Sequence, residues 1–244
     1  MRIQVDLIPG SPGSDVVIIV DALASCTAAA MLFDAGLEAL WLTPSVRAAR
    51  VHAASSGASL LGEKGGVPPE GFNLSSSPAV LAGLDFTGQQ AVLMSDNAPK
   101  AVGLYGDAPH VLLGSLYNAG AVARLAARLA TSEVRLVCCG FDGQEDLDDA
   151  LAAGFIAAEL HKLLPDSRFT GAARFTQSLL RAFPDPVEAF WRSAAGEFLR
   201  NLERSDDIGI AARVSASSSV PVRTGVSSVA GSAVHRFEAD SSRR

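Results

Sequence analysis

From Ile3 to Leu164 the chain alternates between two rhythms of apolar and polar residues. Short unbroken apolar runs predict strands at Ile3–Leu7, Val16–Val20, Ala39–Leu42, Ser59–Leu61, Ala91–Met94, Val111–Leu113 and Val134–Cys138. Runs of this kind suit strands that are covered on both faces. Helical signals fall between them. Thr43-Pro44 and Ser77-Pro78 read as N-caps followed by a proline in the first turn. Tyr117–Ala130 and Glu145–Leu164 repeat alanine and leucine at helical spacing. The second opens with Asp146, Asp148 and Asp149, where carboxylates complement a helix dipole. Strand–helix alternation predicts an α/β protein, a three-layer α/β/α sandwich around a mostly parallel or mixed sheet.

The last third has a different texture. Thr170–Phe183 and Pro186–Glu203 predict two helices, the second capped by Asp185, and Val220–Arg223 predicts a short strand. From about residue 227 the chain is small and polar, and a flexible tail is expected there. No repeat or long linker divides the sequence, so 1–244 reads as a single domain.

Composition narrows the class. With 48% hydrophobic and 19% charged residues, the 244-residue chain has the make-up of a globular protein. A net charge of −6 gives no electrostatic footprint for nucleic acid. No apolar run approaches the ~20 residues of a membrane helix, so no membrane partner is expected. Cys26, Cys138 and Cys139 are an odd set with two adjacent, which is no disulfide framework. The N-terminal residues lack a secretory-type apolar segment, and a cytoplasmic setting is expected.

The chemistry concentrates in Gly62–Pro78, GEKGGVPPEGFNLSSSP, a long connector without periodicity between a strand and a helix start. Its glycines permit tight turns and close approach to a ligand, while Glu63, Lys64 and Glu70 carry charge. An ordered surface loop with no ligand would share that composition. Four further segments lie between a strand and a helix: Asp21–Thr27, Ser95–Lys100, Gly114–Asn118 and Cys139–Asp149. If the strands run parallel, all five meet at one carboxyl-terminal edge, where α/β sheets bind ligands. Small polar residues are also what turns and caps require. Of three lysines, Lys64 and Lys100 fall in these segments and suit phosphate or carboxylate. Asp21, Glu63, Glu70, Asp142 and Asp149 offer hard oxygen donors suited to Mg²⁺. There is no G-x-x-x-x-G-K-[ST] loop, dinucleotide fingerprint, G-x-S-x-G elbow or H-E-x-x-H pair.

Taken in order, VDALASCT, GEKGGVPPEGFNLSSSP, SDNAPKAV, GSLYNAGAVA and VCCGFDGQEDLDDALAAG resemble the 2-phosphosulfolactate phosphatase family. SAAGEFLRNLERSDDIGIAARVSASSSVPV extends the resemblance over nearly the whole chain. It implies an α/β/α fold and a Mg²⁺-dependent phosphatase that releases phosphate from 2-phospho-3-sulfolactate, a step toward sulfolactate and coenzyme M. Asp21, Glu63 and Glu70 are then the catalytic carboxylates, and the same three with Asp149 hold the metal. Lys64, Gly65, Gly66, Asn97, Lys100, Ser115 and Asn118 bind the substrate. The family's V-D-V-L-R-A-[ST]-T reads here with Ala24 for arginine and Cys26 for the hydroxyl. Lys64 replaces the arginine of G-E-R-G-G, and Lys100 that of T-N-G-T-R. Two other roles stay open: an impaired member that binds a small anionic metabolite, and a structural protein whose apolar helices, such as Tyr117–Ala130, form a homodimer. Cys26 is read as a buried residue at a helix start in preference to a nucleophile.

Overall fold

A computed structural model describes residues 1–10, 13 and 15–240. All seven strands expected before Leu164 are present: β1 (Arg2–Asp6), β2 (Val16–Val20), β3 (Ala39–Thr43), β4 (Ser59–Gly62), β5 (Gln90–Met94), β6 (His110–Gly114) and β7 (Glu133–Cys138). They share one sheet with a two-residue edge strand, β8 (Arg168–Phe169), and a C-terminal hairpin, β9 (Pro221–Val229) and β10 (Ser232–Ala239). The order is β4-β5-β3-β10-β9-β6-β2-β7-β1-β8.

Each flank of the sheet is parallel within itself, but the hairpin pairs antiparallel with both β3 and β6. The flanks therefore run in opposite senses, and the expectation of one common carboxyl-terminal edge is corrected. Strand twist also reorients the two flanks relative to each other. At roughly 20–25° per strand step, the five steps from β2 to β5 accumulate on the order of 100°. A register shift in β10 between Arg236 and Phe237 adds to it locally. The turns after β2 and β5 nevertheless meet, the Ser25 and Ser95 hydroxyls lying 2.6 Å apart.

Helices cover both faces. Val17 and Ile19 of β2, Leu113 of β6, Leu40 and Leu42 of β3, and Ala91 and Leu93 of β5 pack around α1 (Ser25–Asp34) and α4 (Ala98–Leu104). The alternate residues Val16, Ile18 and Val20 face α5 (Ala119–Leu129) and α6 (Leu147–Leu163). Val92 and Met94 meet α2 (Val46–Ser56). Each fully buried leucine or isoleucine contributes about 1.5–3 kcal/mol, so the two-sided burial explains why these strands read as continuous apolar runs. The apolar residues of α5, proposed for a homodimer contact, are buried inside this core.

Three local expectations change. Thr43 ends β3, and Ser45 caps α2 by accepting from the N–H of Ala48 (3.2 Å). The expected helix 186–203 is two helices, α8 (Pro186–Arg192) and α9 (Ala194–Asn201). Ser193 breaks it: its hydroxyl donates to the Phe190 carbonyl and accepts from the N–H of Gly196 (both 2.9 Å). The supposed tail from about 227 forms the end of β9 and all of β10, with Val234, His235 and Phe237 buried. Its own composition is polar because much of β9 is exposed; partners more than 180 residues away hold it in the sheet.

Candidate active site

A cavity of about 270 Å³ opens where the turns after β2, β4, β5 and β7 meet α9 and Arg204, which lies between α9 and the next helix. Asp21, Leu23, Ala24 and Ser25 line it from the β2 turn, and Glu63, Gly65 and Gly66 from the long loop. Met94–Asn97, Phe141 and Asp142 complete one side, and Ala195, Phe198, Leu199 and Arg204 the other.

Asp21 is 5% exposed, and its Oδ1 accepts from the N–H of Ser25 (3.1 Å). Burial raises its carboxyl above the ordinary range, against the opposing bonds from Ser25. The hydroxyls of Ser25 and Ser95 lie 2.6 Å apart on the same wall. Glu63 accepts from Arg204 Nη1 (2.7 Å) and from the Ser75 hydroxyl. Arg204 also donates from Nε to Asp207 (2.9 Å) and from Nη1 to the Gly66 carbonyl (3.3 Å). Asp207 in turn accepts from the hydroxyl of Ser77 and the N–H of Ala79. This network ties both ends of the 62–78 loop to α10 (Ser205–Ala211). Gly66 has φ 79°, and a Cβ there would come within 2.8 Å of the Phe198 ring. A glycine is needed for the loop to close over α9.

Not every expected residue arrives. Glu70 is exposed and does not line the cavity, which removes it from the carboxylate set. The loop doubles back between Lys64 and Val67, and Asn73 Oδ1 then accepts from Leu60 N–H (2.7 Å), leaving Glu70 on the outer bend. Lys64 is exposed, 3.9 Å from Asp96, and Lys100 is exposed on α4; neither lines the cavity. Asn97 does, with its amide donating to the Gly140 carbonyl (3.2 Å).

Ser115 and Asn118 are fully buried outside the cavity. Asn118 accepts from Ser115 N–H and donates to the carbonyls of Leu113 and Ser219, a tie between β6 and the chain leading to β9. Asp149 is likewise engaged. Its Oδ1 accepts from Ala22 N–H (2.7 Å), and its Oδ2 from the N–H groups of Cys139 and Gly140 (both 2.9 Å). Burial and the neighbouring Asp21 charge push its carboxyl up to about 8, against those bonds. Asp149 thus joins the β2 and β7 turns, and no oxygen of it faces the cavity as a ligand.

Asp146 caps α6 and reaches further, accepting from the N–H groups of Ala194 (2.9 Å) and Ala195 (2.8 Å). It thereby fixes the start of α9, which carries Phe198 and Leu199. The Cys26 thiol donates to the Ile19 carbonyl (3.4 Å). Burial and the charges of Asp21 and Asp149 push its pKa well up, so a thiolate nucleophile is disfavoured.

Mg²⁺ commonly takes one or two carboxylates and keeps several waters. Asp21, Asp96 and Asp142 on the cavity wall supply hard oxygen of that kind. Among the described residues no group of three or more His, Cys, Asp or Glu is placed to hold a metal ion, so one or two of these carboxylates with water are what the wall could offer.

Residues 3–225 match the family described as 2-phosphosulpholactate phosphatase. The chain belongs to this family. A relative from Thermus thermophilus is 40% identical over 228 residues, covering 92% of this chain and 95% of its own. One from Deinococcus radiodurans is 38% identical over 223 residues, 91% of this chain and 92% of its own. A third, from Carboxydothermus hydrogenoformans, is 32% identical over 209 residues and 84% of each chain. All three are named probable 2-phosphosulfolactate phosphatase. Within the 2-phosphosulpholactate phosphatase family pattern, sequence reasoning missed Arg204, Ser25 and Ser95 as cavity residues. The two serines carried a signal, since they lie within the segments Asp21–Thr27 and Ser95–Lys100 already singled out. Arg204 lies in the C-terminal stretch that extends the resemblance, but LERSDD by itself reads as ordinary helix-surface charge and points to no cavity.

Proposed function

We propose that this cavity hydrolyses a small acidic phosphomonoester, 2-phosphosulfolactate first among them, with the help of Mg²⁺. The observation that carries the reading is the convergence of Asp21 and Glu63 on one cavity beside Gly65, Gly66 and Asn97. The names of the relatives supply the substrate.

Asp21, with Asp96 or Asp142, would hold the ion. Bound there, Mg²⁺ would supply charge neutralisation at the phosphoryl oxygens and a more acidic water. The chain's own groups do the remaining work. Gly65, Gly66, Asn97, Ser25 and Ser95 line the cavity, and their N–H, amide and hydroxyl groups would donate to phosphoryl oxygens. Glu63, fixed by Arg204 and Ser75, holds the loop in place and keeps a carboxylate at the wall. The rings of Phe141 and Phe198, with centroids 5.4 Å apart, form an apolar part of the wall.

A second reading, a member that binds its anion without turnover, is favoured by Ala24 lining the cavity where the family pattern has arginine. Phosphate release from 2-phosphosulfolactate, with Mg²⁺ and with excess chelator, separates the two. Turnover that chelator abolishes supports the enzyme. Binding detected by calorimetry without any phosphate release supports the second reading.

A further inference from the structure

Positive charge on the cavity wall is scarce. Arg204 is the one lysine or arginine that lines it among the described residues, and Glu63, Asp207 and the Gly66 carbonyl already engage its guanidinium. Lys64 lies outside the lining, beside Asp96. Ala24 adds a methyl group to the wall, and Leu23, Phe141, Phe198 and Leu199 line the same space. The site therefore offers much apolar surface and little charge for acidic groups beyond the phosphate. An apolar leaving group gains from such a wall, and an extra carboxylate or sulfonate gains less than beside a free arginine.

We propose that this chain has a further activity, the hydrolysis of phosphomonoesters whose leaving group is apolar and uncharged, with the Phe141–Phe198 wall and Ala24 setting that breadth. The inference rests on the phosphatase reading of the cavity. In the reaction, water adds to phosphorus and the ester P–O bond breaks. The departing oxygen leaves as the protonated alcohol or phenol, and inorganic phosphate carries the water's oxygen.

The test compares kcat/KM for phenyl phosphate and 2-phosphosulfolactate in the full-length protein with Mg²⁺, for the wild type, Phe141→Leu and Ala24→Arg. The expected result is turnover of both esters, with phenyl phosphate within about tenfold of the other. Phe141→Leu should lower the phenyl-to-sulfolactate ratio about threefold or more. Ala24→Arg should lower it about tenfold or more by favouring the acidic ester. Turnover of 2-phosphosulfolactate alone would overturn this inference and leave the phosphatase reading standing. A ratio unmoved by both substitutions would overturn the assignment to these residues. Turnover of neither ester would overturn the phosphatase reading, and this inference with it.

Discussion

Asp21 and Glu70 show how two acids of equal promise in the sequence part company in space. Asp21 directly follows a buried strand, so the direction of its side chain is set by β2 and by its bond from Ser25. Glu70 lies in a loop, and composition does not say which side of a loop faces inward. The Asn73–Leu60 bond turns it to solvent. Glu70→Ala should accordingly leave kcat/KM for phosphate release within about twofold and stability within about 0.5 kcal/mol, as steady-state kinetics and urea titration would read. A larger loss of activity would return Glu70 to the site. Gly66→Ala, by contrast, should cost at least 1–2 kcal/mol, since it combines a positive φ with a collision against Phe198. Chemical denaturation would measure it.

At the scale of elements, the buried strands were legible because burial on both faces leaves an unbroken apolar run. Of the hairpin only the start of β9 was, in the strand expected at Val220–Arg223, and β10 was not. β9 exposes much of its length, and what holds β10 is pairing with β3, set by residues far away in the chain. The same reason hid Arg204, whose partner Glu63 lies 141 positions earlier. Local pattern carries information about an element's own burial, and little about distant partners that complete it. This gives a clear expectation for a chain ending at Val226. That truncation removes β10 and opens the sheet between β3 and β9, so it should fail to fold cooperatively, as circular dichroism on heating would show. A truncated chain with an unchanged melting curve would contradict the central place of the hairpin.

For the whole molecule, the buried carboxylates reverse the usual pH dependence. In the folded chain the Asp149 carboxyl titrates near 8, against 3.8 for the ordinary group. Between those values the folded state keeps a proton that the unfolded state has lost, so rising pH lowers stability. His235 works the other way: burial lowers it to about 4, and its contribution is lost as pH falls below 6.5. From pH 6.5 to 8 the Asp149 effect remains, and Asp21 shifts in the same direction. In chelator, Tm should fall across that window, and Asp149→Asn should flatten the slope even though it lowers Tm overall. A Tm that rises through the window would contradict this electrostatic picture.

The central claim is that the Asp21 cavity performs phosphate ester hydrolysis, and Asp21→Asn tests it most directly. Asparagine retains an oxygen to accept from Ser25 and removes a buried charge, so Tm should hold or rise. Phosphate release from 2-phosphosulfolactate in Mg²⁺ should fall about a hundredfold or more relative to the wild type. Wild-type turnover within about twofold of the variant's would place the chemistry elsewhere.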